Sequence, residues 1–161
     1  MKMKISTLLL AFALLGSSAM LSSCKKNDDN NGSNSNTPAK DNSLTAIIGT
    51  KIVDPSGLPT ISYEADKGIL TATVYDKDQV TTLALTMQLD QGNTLAFGST
   101  AFGNVQTSSN TDGLYEAVDG NVNLSTNDRT NRIAEGTFSF SAQNLNSAKI
   151  NVTSGKFYIK Y

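Results

Sequence analysis

Short segments in which apolar and polar residues alternate place the strongest constraint on the fold of this chain of 161 residues. The side chains of a β-strand point in turn to opposite faces of a sheet, so a period of two predicts a strand with one buried face. Residues 81–89 show this pattern most clearly, and their apolar face consists of Leu83, Leu85, Met87 and Leu89. By the same alternation, four phenylalanines are predicted to lie in the core, namely Phe97, Phe138, Phe140 and Phe157.

Turn residues divide the second part of the chain into many short strands. The predicted strands are 44–53, 60–64, 69–75, 81–89, 94–98, 115–118, 121–126, 133–142 and 149–161. Residues 98–113 are expected to form loops with one short irregular strand, Asp119 and Gly120 a turn, and Ser154 and Gly155 a bulge. The pattern predicts an all-β domain, an antiparallel β-sandwich of about eight or nine strands. A small lipocalin-like barrel is the alternative.

The beginning of the chain has the composition of a signal peptide. Lys2 and Lys4 precede an apolar run at 5–15, and small residues follow it. As a helix, these eleven residues would rise only about 16 Å, against about 30 Å of bilayer hydrocarbon, so the run is too short to span a membrane. The single cysteine of the chain, Cys24, comes shortly afterwards, so an internal disulfide is excluded.

The segment Leu21-Ser22-Ser23-Cys24 resembles the lipobox of bacterial lipoproteins, in which a leucine and small residues precede an acylated cysteine. Ser23 departs from the commonest residue before the cysteine, although it is also small. The resemblance implies cleavage before Cys24, lipid attachment to that residue, and an outer-membrane location. Two or three acyl chains anchor a protein durably, whereas one chain gives only marginal binding. We therefore expect residues 1–23 to be a signal peptide and the membrane to be a partner through the lipid on Cys24.

Residues 24–43 are expected to form a lipidated, disordered tether, because they are almost wholly small, polar or charged and offer little to bury. Lys26, Asp28 and Asp29 resemble the export signal of Bacteroidetes-type surface lipoproteins, in which acidic residues follow the acylated cysteine. That resemblance implies display on the cell surface. The alternative is a plain soluble linker on a protein that faces the periplasm. Residues 44–161 are then the single folded domain.

Three segments near the end of the chain resemble small β-rich Bacteroidetes-type lipoproteins of unassigned function. They are residues 120–128, residues 135–142 with the sequence EGTFSFSA, and residues 150–161 with VTSGKF. The resemblance covers about the last third of the chain and implies an all-β domain. It supplies no catalytic residues.

The composition excludes several kinds of chemistry. The chain has no histidine, so triads and zinc sites built on imidazole are excluded, and the mild net negative charge of -1 with no basic cluster argues against nucleic acid as a partner. Asp76, Asp78, Asn127 and Asp128 lack the spacing of a calcium loop. We therefore expect no catalytic residues, no metal site and no cofactor.

Carboxylates and tyrosines are the remaining candidates for a catalytic or ligand-binding site. Glycoside hydrolysis needs two carboxylates beside one bond, and Glu64, Glu116 and Glu135 are more simply solvated residues. Four tyrosines could stack on sugars or peptides, namely Tyr63, Tyr75, Tyr115 and Tyr158. Because the chain has no tryptophan, packing at the sheet margins is the favoured role for these tyrosines. The sequence thus predicts a lipid-anchored envelope lipoprotein with a non-enzymatic binding or surface-structural domain. Its protein or glycan ligand and its oligomeric state stay open, and the alternative is a lipocalin-like carrier of a small apolar ligand.

Overall fold

The computed structural model describes residues 40–108 and 111–161. The predicted signal peptide, lipidation site Cys24 and export residues Lys26, Asp28 and Asp29 lie outside these residues. Ten strands are present: β1 Ser43–Ile48, β2 Lys51–Ile52, β3 Thr60–Glu64, β4 Ile69–Tyr75, β5 Thr82–Gln88, β6 Thr94–Ala96, β7 Ala101–Gln106, β8 Leu114–Asp128, β9 Ile133–Gln143 and β10 Lys149–Lys160. The only helical element in the described part of the chain is one 3-10 turn, Thr111–Gly113.

All ten strands belong to one antiparallel sheet, which confirms the predicted all-β antiparallel class. The order of the strands is β2-β1-β10-β9-β8-β7-β5-β4-β3, and β6 pairs with β8 beside this path. The sheet curls like a half-barrel, so that β1 approaches β4 across a shared core. Its edge strands β2 and β3 do not pair with each other, so the sheet is not a closed barrel.

The core fills the space between the two halves of the sheet. The predicted apolar face of β5 is buried, and the four predicted phenylalanines are no more than 7% exposed. Their rings contact one another, with centroids 4.7 Å apart for Phe97 and Phe140 and 6.3 Å apart for Phe138 and Phe157. Packed side chains therefore occupy the region in which a lipocalin-like carrier would hold its ligand.

For the first and last strands of the domain, one prediction is wrong and one is confirmed. The predicted strand 44–53 is wrong as one element, because Gly49 adopts a φ of 61° and turns the chain between β1 and β2. The bulge predicted near Ser154 and Gly155 in β10 is confirmed, since the register shifts between Val152 and Gly155 and Ser154 has a φ of 53°.

The middle of the chain is more regular than predicted. Residues 101–106 form β7, a full strand between β5 and β8, where loops with a short irregular strand were expected. The turn predicted at Asp119 and Gly120 is wrong, because β8 runs without a break from Leu114 to Asp128. Gly120, with a φ of 126°, lies beside a register shift between Ala117 and Asp119, so it accommodates a bulge within one strand.

The strand directions define two ends of the domain. We call the end where β1 begins and β10 finishes the proximal end; its turns are 65–68, 89–93 and 129–132. We call the opposite end the distal end; it carries the β1–β2 turn, the segment 53–59 and the loops 76–81, 107–113 and 144–148. β10 has 12 residues, so the ends lie about 40 Å apart at about 3.3 Å per residue.

Candidate functional site

Exposed apolar side chains are concentrated at the distal end. Eight large hydrophobic residues are exposed in the described part of the chain, and seven of them belong to distal loops or to strand segments next to them. These seven are Ile52, Leu58, Tyr75, Val80, Leu114, Val118 and Leu145, and the eighth is Phe102 on β7. Single exposed hydrophobic residues are normal on protein surfaces, whereas large contiguous apolar patches are typical of interaction sites.

Part of this end forms an open, mainly apolar groove of about 380 Å³, which we call the distal groove. It lies where the beginning of β8 runs beside the end of β9 and the β9–β10 loop. Its lining consists of Leu114, Glu116, Ala117, Val118, Gln143, Asn144 and Leu145. The volume falls within the range of small-molecule pockets, about 300–1,000 Å³.

Side-chain hydrogen bonds hold the β9–β10 loop in the shape that exposes Leu145. Asn144 Oδ1 accepts hydrogen bonds from the backbone N–H groups of Asn146 (3.1 Å) and Ala148 (2.9 Å). Asn144 Nδ2 donates to the carbonyl of Asp112 at 2.7 Å, and Asn146 Nδ2 donates to the carboxylate of Asp112 at 2.9 Å. An asparagine that bonds nearby backbone in this way stabilises a turn. Leu145, which is 89% exposed, is therefore presented by an ordered loop.

Among the described residues, Glu116 is the one charged residue that lines the distal groove. In the sheet it lies between Asn104 of β7 and Gln143 of β9, and both of these neighbours are neutral. Glu116 has no ion-pair or hydrogen-bonding partner for its side chain within residues 40–108 and 111–161. The groove thus combines apolar walls with one unpaired carboxylate.

A second distal feature is an ion-pair cluster that joins the two halves of the sheet, which we call the latch. Lys51 of edge strand β2 contacts Asp76 at 2.7 Å, forms an ion pair with Asp78, and donates to Thr81 Oγ1 at 3.0 Å. Asp76, only 4% exposed, also accepts a hydrogen bond from the backbone N–H of Asp54 at 2.6 Å. Because β2 and the β4–β5 loop belong to opposite halves of the sheet, the latch closes the seam between them at the distal end.

The charges of the latch alter the pKa values of its members in a consistent direction. The hydrogen bond from Lys51 lowers the pKa of the Asp76 carboxyl, against an opposing effect of burial. Lys51 also lowers the pKa of Asp78, together with donors from Thr81 and Val80. The two carboxylates in turn raise the pKa of Lys51. All three groups are therefore held in their charged forms at neutral pH.

At the proximal end, Lys40 and Asn42, which precede β1, are bonded to the sheet. Lys40 forms an ion pair with Glu135 of β9, and its Nζ lies 4.4 Å from the centre of the Tyr158 ring. The Asn42 side chain bonds the backbone of Lys160 in both directions, donating at 3.2 Å and accepting at 2.6 Å. The proximal turns carry exposed charges and none of the exposed large hydrophobic residues.

The structure places the three candidate glutamates in separate surroundings. Glu64, at the proximal end of β3, pairs with Lys67 at 2.6 Å, and Glu135 pairs with Lys40. Glu116 lies at the distal end of β8. The three carboxylates do not converge on one cleft.

The candidate calcium ligands are likewise engaged elsewhere. Asp76 and Asp78 belong to the latch, while Asp128 accepts hydrogen bonds from the backbone N–H groups of Thr130 and Asn131 in its own turn. Donation by Asn131, from its backbone first and its side chain second, lowers the pKa of Asp128. Within residues 40–108 and 111–161, no group of three or more acidic residues is arranged to hold a metal ion.

The four candidate tyrosines are not brought together. The Tyr63 ring lies against Tyr161 at the proximal end, with centroids 4.4 Å apart, and Lys40 covers the Tyr158 ring. Tyr115 packs against the core, whereas Tyr75 is exposed at the distal end. No stacking platform forms from these four residues.

Sequence reasoning did not identify the residues of the distal groove other than Glu116. The groove combines residues 114–118 with residues 143–145, which are brought together by the pairing of β8 and β9. One local signal was present, since Leu145 is an isolated leucine between Asn144 and Asn146. An apolar residue in the middle of a turn has no core to enter and is therefore expected to be exposed.

Comparisons with known proteins add no relatives to this description. No protein-family model, curated protein or solved structure matches the chain. Residues 40–108 and 111–161 include no helix with the length and apolar character needed to cross a bilayer.

Proposed function

We propose that this protein is a lipid-anchored lipoprotein of the cell envelope, and that its β domain is a non-enzymatic binding module that contacts its ligand through the distal end. The observation that supports the binding role best is the location of seven of the eight exposed large hydrophobic residues at that end. Hydrogen bonds within the β9–β10 loop preserve the exposure of Leu145, so this exposure is a built feature of the fold.

The anchor is proposed from the lipobox-like segment that ends at Cys24. An acylated thiol at that position would be joined by residues 25–39 to Lys40, which is fastened at the proximal end. Fully extended, these residues would span about 50 Å. The proposed anchor would therefore hold the domain near the membrane.

Replacement of Cys24 by Ser tests the anchor. The expected result is release of the protein from the membrane fraction, and unchanged retention would reject lipidation. Display on the cell surface, proposed from Lys26, Asp28 and Asp29, is tested by protease treatment of intact cells. Surface display predicts digestion of the domain in intact cells, and survival until the outer membrane is permeabilised would reject it.

Photo-cross-linking in the native host tests the binding role. A photoreactive residue at position 145 should form a discrete adduct that depends on neighbouring distal side chains, so a Val118→Ser change in the same chain should reduce its yield. A photoreactive residue at position 66, in a proximal turn, is the matched control. Adducts at position 66 but not at position 145 would reject the distal end as the contact surface.

A further inference from the structure

The composition of the distal groove indicates the kind of ligand that it would bind, because one unpaired carboxylate lies among apolar side chains. Resting on the proposed function, we propose that the groove binds an extended segment of a partner protein whose apolar side chains flank one basic side chain. Leu114, Val118 and Leu145 would contact the apolar side chains, and Glu116 would form an ion pair with the basic one. This assignment names the ligand class of the distal end.

In the described part of the chain, Glu116 forms no ion pair with a lysine, unlike five other carboxylates of the domain. Glu64, Glu135, Asp54, Asp76 and Asp78 each form an ion pair with a lysine of the same chain. Glu116 has no such partner in the described residues, and the other described residues that line the groove carry no charge. A carboxylate left unpaired beside apolar side chains favours a cation that arrives with the ligand.

Lys149 is the nearest competitor by sheet position. It pairs in register with Gln143, which in turn pairs with Glu116, so one strand separates the lysine from the carboxylate. Lys149 forms no ion pair within residues 40–108 and 111–161 and is not part of the groove lining. It therefore leaves Glu116 available to a cation from the ligand.

The shape and charge of the groove favour a peptide over a lipid surface. The groove is open along β8 and the β9–β10 loop, so an extended chain can lie in it and place side chains into it. Lipid phosphates would be repelled by Glu116, since both are negative. The hydrogen-bonded loop around Asn144 is already ordered, which lowers the entropic cost of binding at Leu145.

Surface plasmon resonance with the full lipidated protein in nanodiscs tests the proposal, with empty nanodiscs as the reference. The probes are three blocked pentapeptides that have serine at each end, leucine at positions two and four, and lysine, glutamine or glutamate at the centre. At low salt the lysine peptide should bind about threefold more tightly than the glutamine peptide, since an exposed ion pair contributes only modestly to affinity. The glutamate peptide should bind most weakly, and high salt should reduce these differences.

Variants assign the preference to the groove. Glu116→Gln should remove the preference for lysine and leave binding of the glutamine peptide unchanged, while Leu145→Ser should weaken all three peptides. Glu135→Gln, at the proximal end, is the matched control and should leave the preference intact. A lysine preference that persists in Glu116→Gln, equal binding of the three peptides, or no binding of any peptide would overturn the proposal.

Vesicle co-sedimentation and cross-linking together distinguish failure of this inference from failure of the proposed function. The Cys24→Ser chain should not co-sediment with vesicles of phosphatidylethanolamine and phosphatidylglycerol; co-sedimentation that Leu145→Ser abolishes would assign the groove to lipid and overturn the peptide proposal. Cross-linking from position 145 without a lysine preference would reject the inference and retain the proposed function. Loss of cross-linking from position 145 would reject the proposed function itself.

Discussion

The two ends of the domain are built from the same strands and yet expose different side chains. The proximal turns 65–68, 89–93 and 129–132 carry charged side chains, and the incoming chain is fastened there by Lys40 and Asn42. The distal loops carry exposed leucine, isoleucine, valine and tyrosine side chains together with the latch. The core between the ends is continuous and buries its own apolar side chains.

This difference shows where the fold and the proposed contact surface depend on different residues. The core fixes the paths of β8 and β9, and these strands then bring residues 114–118 beside residues 143–145. The apolar side chains of the distal groove, Leu114, Val118 and Leu145, are exposed, so changing them should alter binding far more than stability. The four predictions that follow exploit this separation.

The largest effect is expected from Phe138→Ala, at the centre of the core that both ends share. Phe138 is 3% exposed and contacts the rings of Phe140 and Phe157. Deletion of the ring should lower the free energy of unfolding by about 3–5 kcal/mol, through lost burial and the cavity that remains. Denaturant unfolding measures this, and amide exchange should speed up at both ends. Faster exchange at one end alone would show that the ends do not share a core.

The next largest loss of stability is expected from Gly120→Ala. Gly120 lies in β8, whose residues 114–118 line the distal groove. An added Cβ would lie 2.2 Å from the carbonyl oxygen of Ser139, and the φ of 126° disfavours any other residue. The strain alone should cost about 1–3 kcal/mol. Gly92→Ala is the control, because Gly92 has a φ of 102° but no atom near the added Cβ. Equal losses of stability in thermal unfolding would contradict a role for close packing at Gly120.

A smaller effect is expected from Lys51→Ala, which opens the distal latch. The pKa values of Asp76 and Asp78 are lowered in the folded state, so their contribution to stability is present above the unfolded pKa of about 3.9. It is lost as the pH falls through the folded-state values. In Lys51→Ala the buried Asp76 has no cation, so the melting temperature at pH 7 should fall by several degrees.

The pH dependence of the same variant distinguishes the latch from simple loss of packing. The wild-type protein should lose stability as the pH falls below about 4, whereas acidification should cost Lys51→Ala less, because protonation relieves its unpaired buried carboxylate. Lys77→Ala is the control, since its ion pair with Asp54 is exposed at both members. Parallel pH profiles for wild type and Lys51→Ala would contradict the latch.

The smallest effect on stability is expected from Leu145→Ser at the distal groove. Leu145 is 89% exposed, so the free energy of unfolding should change by no more than about 0.5 kcal/mol. Binding of a hydrophobic fluorescent dye to the folded protein should nevertheless fall, because the distal apolar surface is reduced. Phe102→Ser, which removes the exposed hydrophobic side chain outside the distal end, should reduce dye binding less. A larger reduction in Phe102→Ser would contradict a distal patch.

Strands were predictable where alternation and turn residues agreed. The β3–β4 hairpin, with strands at 60–64 and 69–75, matches the prediction because Gly68 and its polar neighbours interrupt two clearly alternating segments. For β7 the sequence predicted only a short irregular strand, because two of its three inward residues are Ala101 and Gly103, which carry almost no hydrophobic signal. The structure explains Gly103: a Cβ there would lie 2.9 Å from the Phe140 ring.

The proposed contact surface was less predictable than the fold, for a physical reason. Hydrophobic periodicity reports the side chains that enter the core, whereas the distal residues are apolar and stay outside it. Asp119 and Gly120 suggested a turn that would have ended the strand, and only the bulge carries β8 on to Asp128. The latch was equally hidden, since Lys51 and Asp76 come from opposite halves of the curled sheet.

Hydrogen–deuterium exchange of the protein in cell envelopes of its host, compared with the same protein after purification, tests the distinction between the two ends most directly. The account predicts slower exchange in the envelope for peptides that cover 114–118 and 144–148, and unchanged exchange for 65–68 and 129–132. Slower exchange in the proximal turns, with none at the distal end, would contradict it.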